Sequence, residues 1–85
     1  MDQTQKKPII KTSRVRTSEE LGVQIREERR KRDLSQAELA ARAGVSRRFI
    51  YQLENGTRDS FPLGKVLQVI RRLNLEIQIV RRVAE

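Results

Sequence analysis

Eighty-five residues leave room for one small domain with a single modest core. A net charge of +8 points to a polyanionic partner: nucleic acid, an acidic protein or a membrane surface. The chain has no Cys and no His, which excludes disulfides, thiolate metal sites and the commonest general base.

Residues 1–16 are polar and basic, with Lys6, Lys7, Lys11, Arg14 and Arg16, and read as a flexible basic arm. Such an arm could follow a phosphate backbone or enter a minor groove. Alternatively, Ile9–Lys11 is a short strand that pairs elsewhere. The arm lacks the apolar stretch of a secretory signal, and no run in the chain reaches membrane-spanning length. A cytoplasmic location is expected.

Thr17-Ser-Glu-Glu20 fits a capping box and opens a first helix, in which Leu21 and Ile25 share a face. The charged run from Arg26 to Arg32 is a solvated face, and Asp33 ends the helix. Ser35-Gln-Ala-Glu38 is a second capping box. The helix it opens carries Ala37, Leu39, Ala40 and Ala43, small or apolar side chains that permit close packing. Gly44 supplies the left-handed conformation that ends it. Ser46 caps a third helix whose core face is Val45, Ile50 and Leu53, and Asn55-Gly56 closes it. Ser60 is expected to cap a fourth helix, with Pro62 in its first turn and Leu63, Val66, Leu67, Ile70 and Leu73 on one face.

The period then changes from helical to alternating. Leu75, Ile77 and Ile79 interleave with Glu76 and Gln78, the pattern of a strand. A lone strand cannot satisfy its own backbone. Two copies pairing across a two-fold axis would hide both edges, which makes Leu75, Ile77 and Ile79 dimerisation residues. Pairing with Ile9–Lys11 is the alternative.

Ser35-Gln36-x-Glu38-Leu39-Ala40, then Gly44-Val45-Ser46, then Ile50-x-x-Leu53-Glu54-Asn55-Gly56 resembles the Xre/Cro-type helix-turn-helix of phage repressors. The resemblance covers residues 20–73. It implies a mostly α, lambda-repressor-like bundle of four to five short helices, here with a C-terminal β-strand pairing across a dimer. In domain terms, 1–16 is the arm, 17–73 the helix-turn-helix domain and 74–82 the dimerisation strand.

In that family the Gln that opens helix 2 meets a DNA phosphate, a position held here by Gln36. The first residues of the recognition helix reach base edges, which points to Arg47 and Arg48, followed by Tyr51 and Gln52. Arg suits guanine and Gln suits adenine in the major groove, although either Arg could serve a phosphate instead. Ser46 sits at the cap of that helix. Asn55, Thr57 and Arg58 follow it, where the family contacts phosphates. Phe49 either packs beside Ile50 or meets a thymine methyl, and packing is the favoured reading. The phage-repressor pattern also pairs an Arg of helix 1 with the Glu before Asn-Gly. That implies a structural Arg29–Glu54 pair rather than a DNA contact.

Leu63-Gly-Lys-Val-Leu-Gln-Val-Ile70 and Leu73-Asn-Leu-Glu-Ile77 resemble the HipB-type antitoxins, including the Y4mF-like subgroup, as does Arg47-Arg-Phe-Ile50. This resemblance implies a dimer that represses its own operon at palindromic double-stranded operator DNA. It also implies a HipA-like serine/threonine kinase toxin as the partner that the protein neutralises. A stand-alone phage-type or Xre-family repressor is the alternative. No paired carboxylates, activated nucleophile, Gly-rich phosphate loop or metal-ligand cluster is evident, so no catalytic residue, metal or cofactor is expected. An RNA-stacking platform is not expected either, because Phe49, Tyr51 and Phe61 are the only aromatics.

Overall fold

The computed structural model describes residues 10–83. Four helices follow in chain order: α1 (Ser18–Lys31), α2 (Gln36–Ala43), α3 (Arg47–Asn55) and α4 (Leu63–Arg72). None of them is long and apolar enough to cross a membrane.

Local chemistry starts and stops the first three helices. The Thr17 hydroxyl accepts from the Glu20 N–H at 3.1 Å, and the Glu20 carboxylate turns back to the Arg16 N–H at 2.5 Å. The reciprocal bond therefore reaches one residue further back than an ideal capping box. α1 stops at Lys31, and Asp33 turns the chain with φ 55°. At α2 the box is complete: Ser35 Oγ accepts from the Glu38 N–H at 3.0 Å, and Glu38 Oε1 accepts from the Ser35 N–H at 2.8 Å. The backbone bond from Ser35, then its hydroxyl, holds the Glu38 carboxyl below its usual range. Gly44 ends α2 at φ 73°, a conformation that would strain a side-chain-bearing residue. Ser46 caps α3 through the Phe49 N–H at 3.0 Å. Asn55 is the last residue of α3, and Gly56 alone takes the left-handed turn.

α4 begins differently from the expectation. Its N-cap is Pro62, without a side-chain cap bond, and Ser60 lies outside the helix. The reason is the Phe61-Pro62 step. Proline pushes the preceding residue out of the α region, so Phe61 cannot be the first helical residue. Phe61 instead meets Phe49 edge-on, with ring centroids 5.8 Å apart.

α1 packs on α3, α3 on α2, and α2 on α4. The core comprises Ile25 from α1, Leu34 from the turn, Leu39, Ala40 and Ala43 from α2, Phe49, Ile50 and Leu53 from α3, and Val66, Val69, Ile70 and Leu73 at α4. Phe49 is thus a core residue. Val45 and Leu21 are partly buried against this core. Ala37 and Leu63 face solvent, and Val69 takes the inward place on α4.

The C-terminal expectation is not met within one chain. No strand is present among the described residues, and no fifth helix. Leu75 packs partly on the core, whereas Ile77 is 52% and Ile79 89% exposed. Among the described residues, no backbone–backbone hydrogen bond joins 76–83 or 10–16 to another segment. Ile10 and Lys11 therefore do not pair with the C-terminal segment in cis. Ile9, and residues 1–9 of the basic arm, lie outside the described residues.

Candidate nucleic-acid interface

α3 has two unlike faces. Phe49, Ile50, Leu53 and Glu54 point inward. At about 100° per residue, Arg47, Arg48, Tyr51, Gln52 and Asn55 fall on the opposite arc. All of these but the half-buried Gln52 are exposed. The helix is anchored by its apolar face and offers solvent a row of long polar side chains.

The charge at its start carries more information. α1 has Glu19 and Glu20 in its first turn and α2 has Glu38, as the helix dipole favours. α3 has no acidic residue there; its first two residues are Arg47 and Arg48. Two cations at the positive end of a helix oppose its dipole, by roughly 0.3–1 kcal/mol each when exposed. Nearby carboxylates do not offset them: the only ion pairs among the described residues are Arg29–Glu54 and Arg32–Glu28. Such a locally unfavourable choice makes the start of α3 a candidate site for an anion.

Further cations gather beside this end. Arg58 lies over the Phe61 ring at 5.2 Å, and Lys65 is 6.0 Å from the centre of the Phe49 ring. Because Phe49 and Phe61 meet, Arg58 and Lys65 flank the base of α3. Lys65 was not among the residues predicted to bind. Its proximity depends on how α4 packs, and no local spacing announces it.

The other predicted residues separate by role. Ser46 Oγ is occupied by its capping bond. Asn55 Nδ2 donates to the Tyr51 carbonyl at 2.8 Å, and the Thr57 N–H donates to the Gln52 carbonyl at 3.2 Å. Among the described residues, the Asn55 amide oxygen and the exposed Thr57 hydroxyl have no such engagement.

Gln36 sits at the first position of α2, tied to a buried network. Arg29 Nε and Nη2 donate to Glu54 Oε2 and Oε1 at 2.6 and 2.9 Å, and Arg29 Nη1 donates to the Leu34 carbonyl at 2.7 Å. The bond to Glu54 holds the Arg29 guanidinium more firmly protonated than usual, against the opposing effect of burial. Gln36 Nε2 donates to Glu54 Oε1 at 3.1 Å. One N–H of the Gln36 amide is thereby fixed and the other is left to an outside acceptor. A second basic group, Arg42, Arg71 and Arg72, surrounds a depression of about 210 Å³ at the C-terminal ends of α2 and α4, where cations suit the helix dipoles.

The helix-turn-helix family profile matches residues 25–80 of the chain. The chain is a helix-turn-helix transcriptional regulator of the Xre type. It is 42% identical over 67 residues to the HTH-type transcriptional regulator y4mF of Sinorhizobium fredii, covering 79% of this chain and 87% of that protein. The regulator y4dL of the same organism is 40% identical over 60 residues, which is 71% of this chain but only 30% of that longer protein. Among solved structures, the fold is similar to HipB in the HipA–HipB–O2–O3 complex, with a TM-score of 0.74 at 20% identity over 82% of this chain and 97% of that one. It is also similar to the restriction-modification controller protein C.AhdI of Aeromonas hydrophila, with a TM-score of 0.64 at 30% identity over 69% and 88% of the two chains.

Proposed function

We propose that this Xre-type regulator is a sequence-specific, dimeric repressor that reads operator DNA with α3. The observation that carries the proposal is the start of α3, where Arg47 and Arg48 stand exposed at a helix terminus without acidic neighbours in its first turn. In the major groove, Arg47, Arg48, Tyr51 and Gln52 meet base edges. Gln36, Asn55, Thr57 and Arg58, with the backbone around Ser46, position the domain on phosphates. Residues 17–73 form the DNA-binding unit, and 74–82 pair as a strand with the same segment of a second copy. That pairing is self-complementary: centred on Ile77, an antiparallel register sets Leu75 opposite Ile79 and Glu76 opposite Gln78. The two recognition helices then enter successive major grooves about 34 Å apart.

The test is binding of an Arg47→Ala variant to selected operator DNA and to a scrambled duplex. Loss of a bidentate guanine contact weakens the operator by about 1–3 kcal/mol, roughly 5- to 150-fold, and the scrambled duplex far less. Equal weakening on both would assign Arg47 to phosphate.

The likeness to HipB, solved in a complex with HipA, favours a second task within the same reading: the dimer is the antitoxin of a toxin–antitoxin operon. Its partner is a HipA-like serine/threonine kinase that it neutralises in the cytoplasm. Co-expression with the product of the neighbouring gene tests this. Growth arrest by the neighbour alone, relieved by this chain with co-purification, is the expected outcome. Absence of both toxicity and complex leaves a stand-alone repressor.

A further inference from the structure

The two ends of the described chain share a groove. Of the nine large hydrophobic residues exposed among the described residues, six are Ile10, Val15, Ile77, Ile79, Val80 and Val83. They lie on the segments either side of the helical core. A groove of about 950 Å³ is lined by 10–15 from one segment and 74–78 with Val80 from the other, and by Leu21, Gln24, Glu28 and Ile70 from the helices. Neither residues 10–15 nor residues 76–80 have a backbone–backbone partner among the described residues. The groove is therefore bounded by two unsatisfied edges and partly lined by apolar side chains.

We propose that residues 75–80 of a second copy fill this groove, so that the N-terminal segment of each chain pairs with the C-terminal strand of its partner. The inference rests on the strand-paired dimer proposed above and adds a role for residues 10–15. Pairing of the two C-terminal strands about Ile77 leaves the outer edge of each strand open. The partner's N-terminal segment closes that edge, giving a four-stranded layer in the order arm, partner strand, strand, partner arm. The two-fold axis passes through its centre. Neighbouring strands lie about 4.8 Å apart, so an arm and its own C-terminal strand are two spacings apart, with the partner strand between them.

Composition agrees with this placement. Ile10, Thr12 and Val15 are β-branched residues suited to a strand. Lys11, Arg14 and Arg16 bring positive charge to the segment, and Glu76 lies on the strand it would meet. A basic outermost strand also disfavours addition of further chains, which stops the layer at four strands.

Native cysteines are absent, so single engineered ones report pairing without interference. Full-length Ile77→Cys is oxidised alone. Separately, tagged chains carrying Thr12→Cys or Ser13→Cys are co-expressed with untagged chains carrying Ile77→Cys, Gln78→Cys or Ile79→Cys, then oxidised. Opposed residues on neighbouring strands fall within disulfide reach, whereas strands two spacings apart do not. The expected result is a covalent Ile77→Cys dimer together with a tagged–untagged covalent heterodimer for at least one arm–strand combination. A covalent Ile77→Cys dimer with no arm–strand heterodimer at any combination overturns the role of residues 10–15 and leaves the strand-paired dimer standing. No Ile77→Cys dimer, with a monomer by sedimentation, removes the dimer itself and this inference with it.

Discussion

Glu54 is the residue on which the interior and the proposed DNA surface meet. Its carboxylate accepts both forks of Arg29 and the amide of Gln36. No buried side-chain polar atom among the described residues lacks a partner, so the network is satisfied as it stands. Removing one partner leaves the other charged and stranded. Glu54→Leu is expected to cost about 3–5 kcal/mol, a large part of the stability of a domain this size. Urea unfolding followed by circular dichroism measures it. The double variant Arg29→Met with Glu54→Leu should recover most of that loss, because no buried charge remains. A double variant as unstable as the single one would show that the site depends on the polar geometry itself. The Arg29–Glu54 pair was legible through the Glu-Asn-Gly motif and the family resemblance. The bond from Gln36 to Glu54 was not, because a polar residue at a helix start carries no sign of which distant carboxylate it will meet. Lys65 escaped for the same reason: it comes near Phe49 only once α4 has packed.

At the scale of elements, the helix starts and stops were readable wherever they depended on neighbours in sequence. Thr17, Ser35 and Ser46 cap through hydroxyls, and Gly44 turns left-handed, all from local chemistry. The start of α4 was misread because Pro62 acts backwards on Phe61. Gly22 carries no local sign of a role in the sequence, but it is the point where α1 crosses the end of α3. A Cβ built there would press into the Leu53 carbonyl oxygen and stand 2.9 Å from that of Glu54. These atoms belong to a helix and cannot turn aside as a side chain can. Gly22→Ala should therefore destabilise by at least about 2–3 kcal/mol, the upper part of the range for overpacking, despite the better helix propensity of alanine. Gly64 is the matched control. It lies in the first turn of α4, and a Cβ there meets nothing within 4 Å. Gly64→Ala should stabilise by up to about 1 kcal/mol. Thermal denaturation of both variants decides the point: similar shifts in Tm would contradict the proposed crossing.

At the scale of the whole molecule, the alternation of Leu75, Ile77 and Ile79 could be read from the sequence, but among the described residues no backbone pairs with residues 76–83. A single copy leaves the segment unpaired and Ile79 almost fully exposed, a state that association relieves. In the proposed dimer, association controls DNA affinity, because each protomer would bring one recognition helix and one set of phosphate contacts. Ile77→Lys with Ile79→Lys is a cleaner probe than a change at Leu75, which already packs on the monomer's own core. Like charges brought opposite each other across the two-fold axis should yield a monomer by sedimentation while the helical core keeps its unfolding midpoint. On an operator with two half-sites the variant should bind weakly and without cooperativity; on a single half-site it should match the parent protomer. The salt dependence follows from the same count of contacts. Each neutralised phosphate contributes about 0.9 to the slope of log affinity against log salt, so losing one protomer should halve that slope. A variant that is monomeric yet retains the full slope and affinity on the two-site operator would separate DNA binding from dimerisation and refute the coupling of the C-terminal strand to operator recognition.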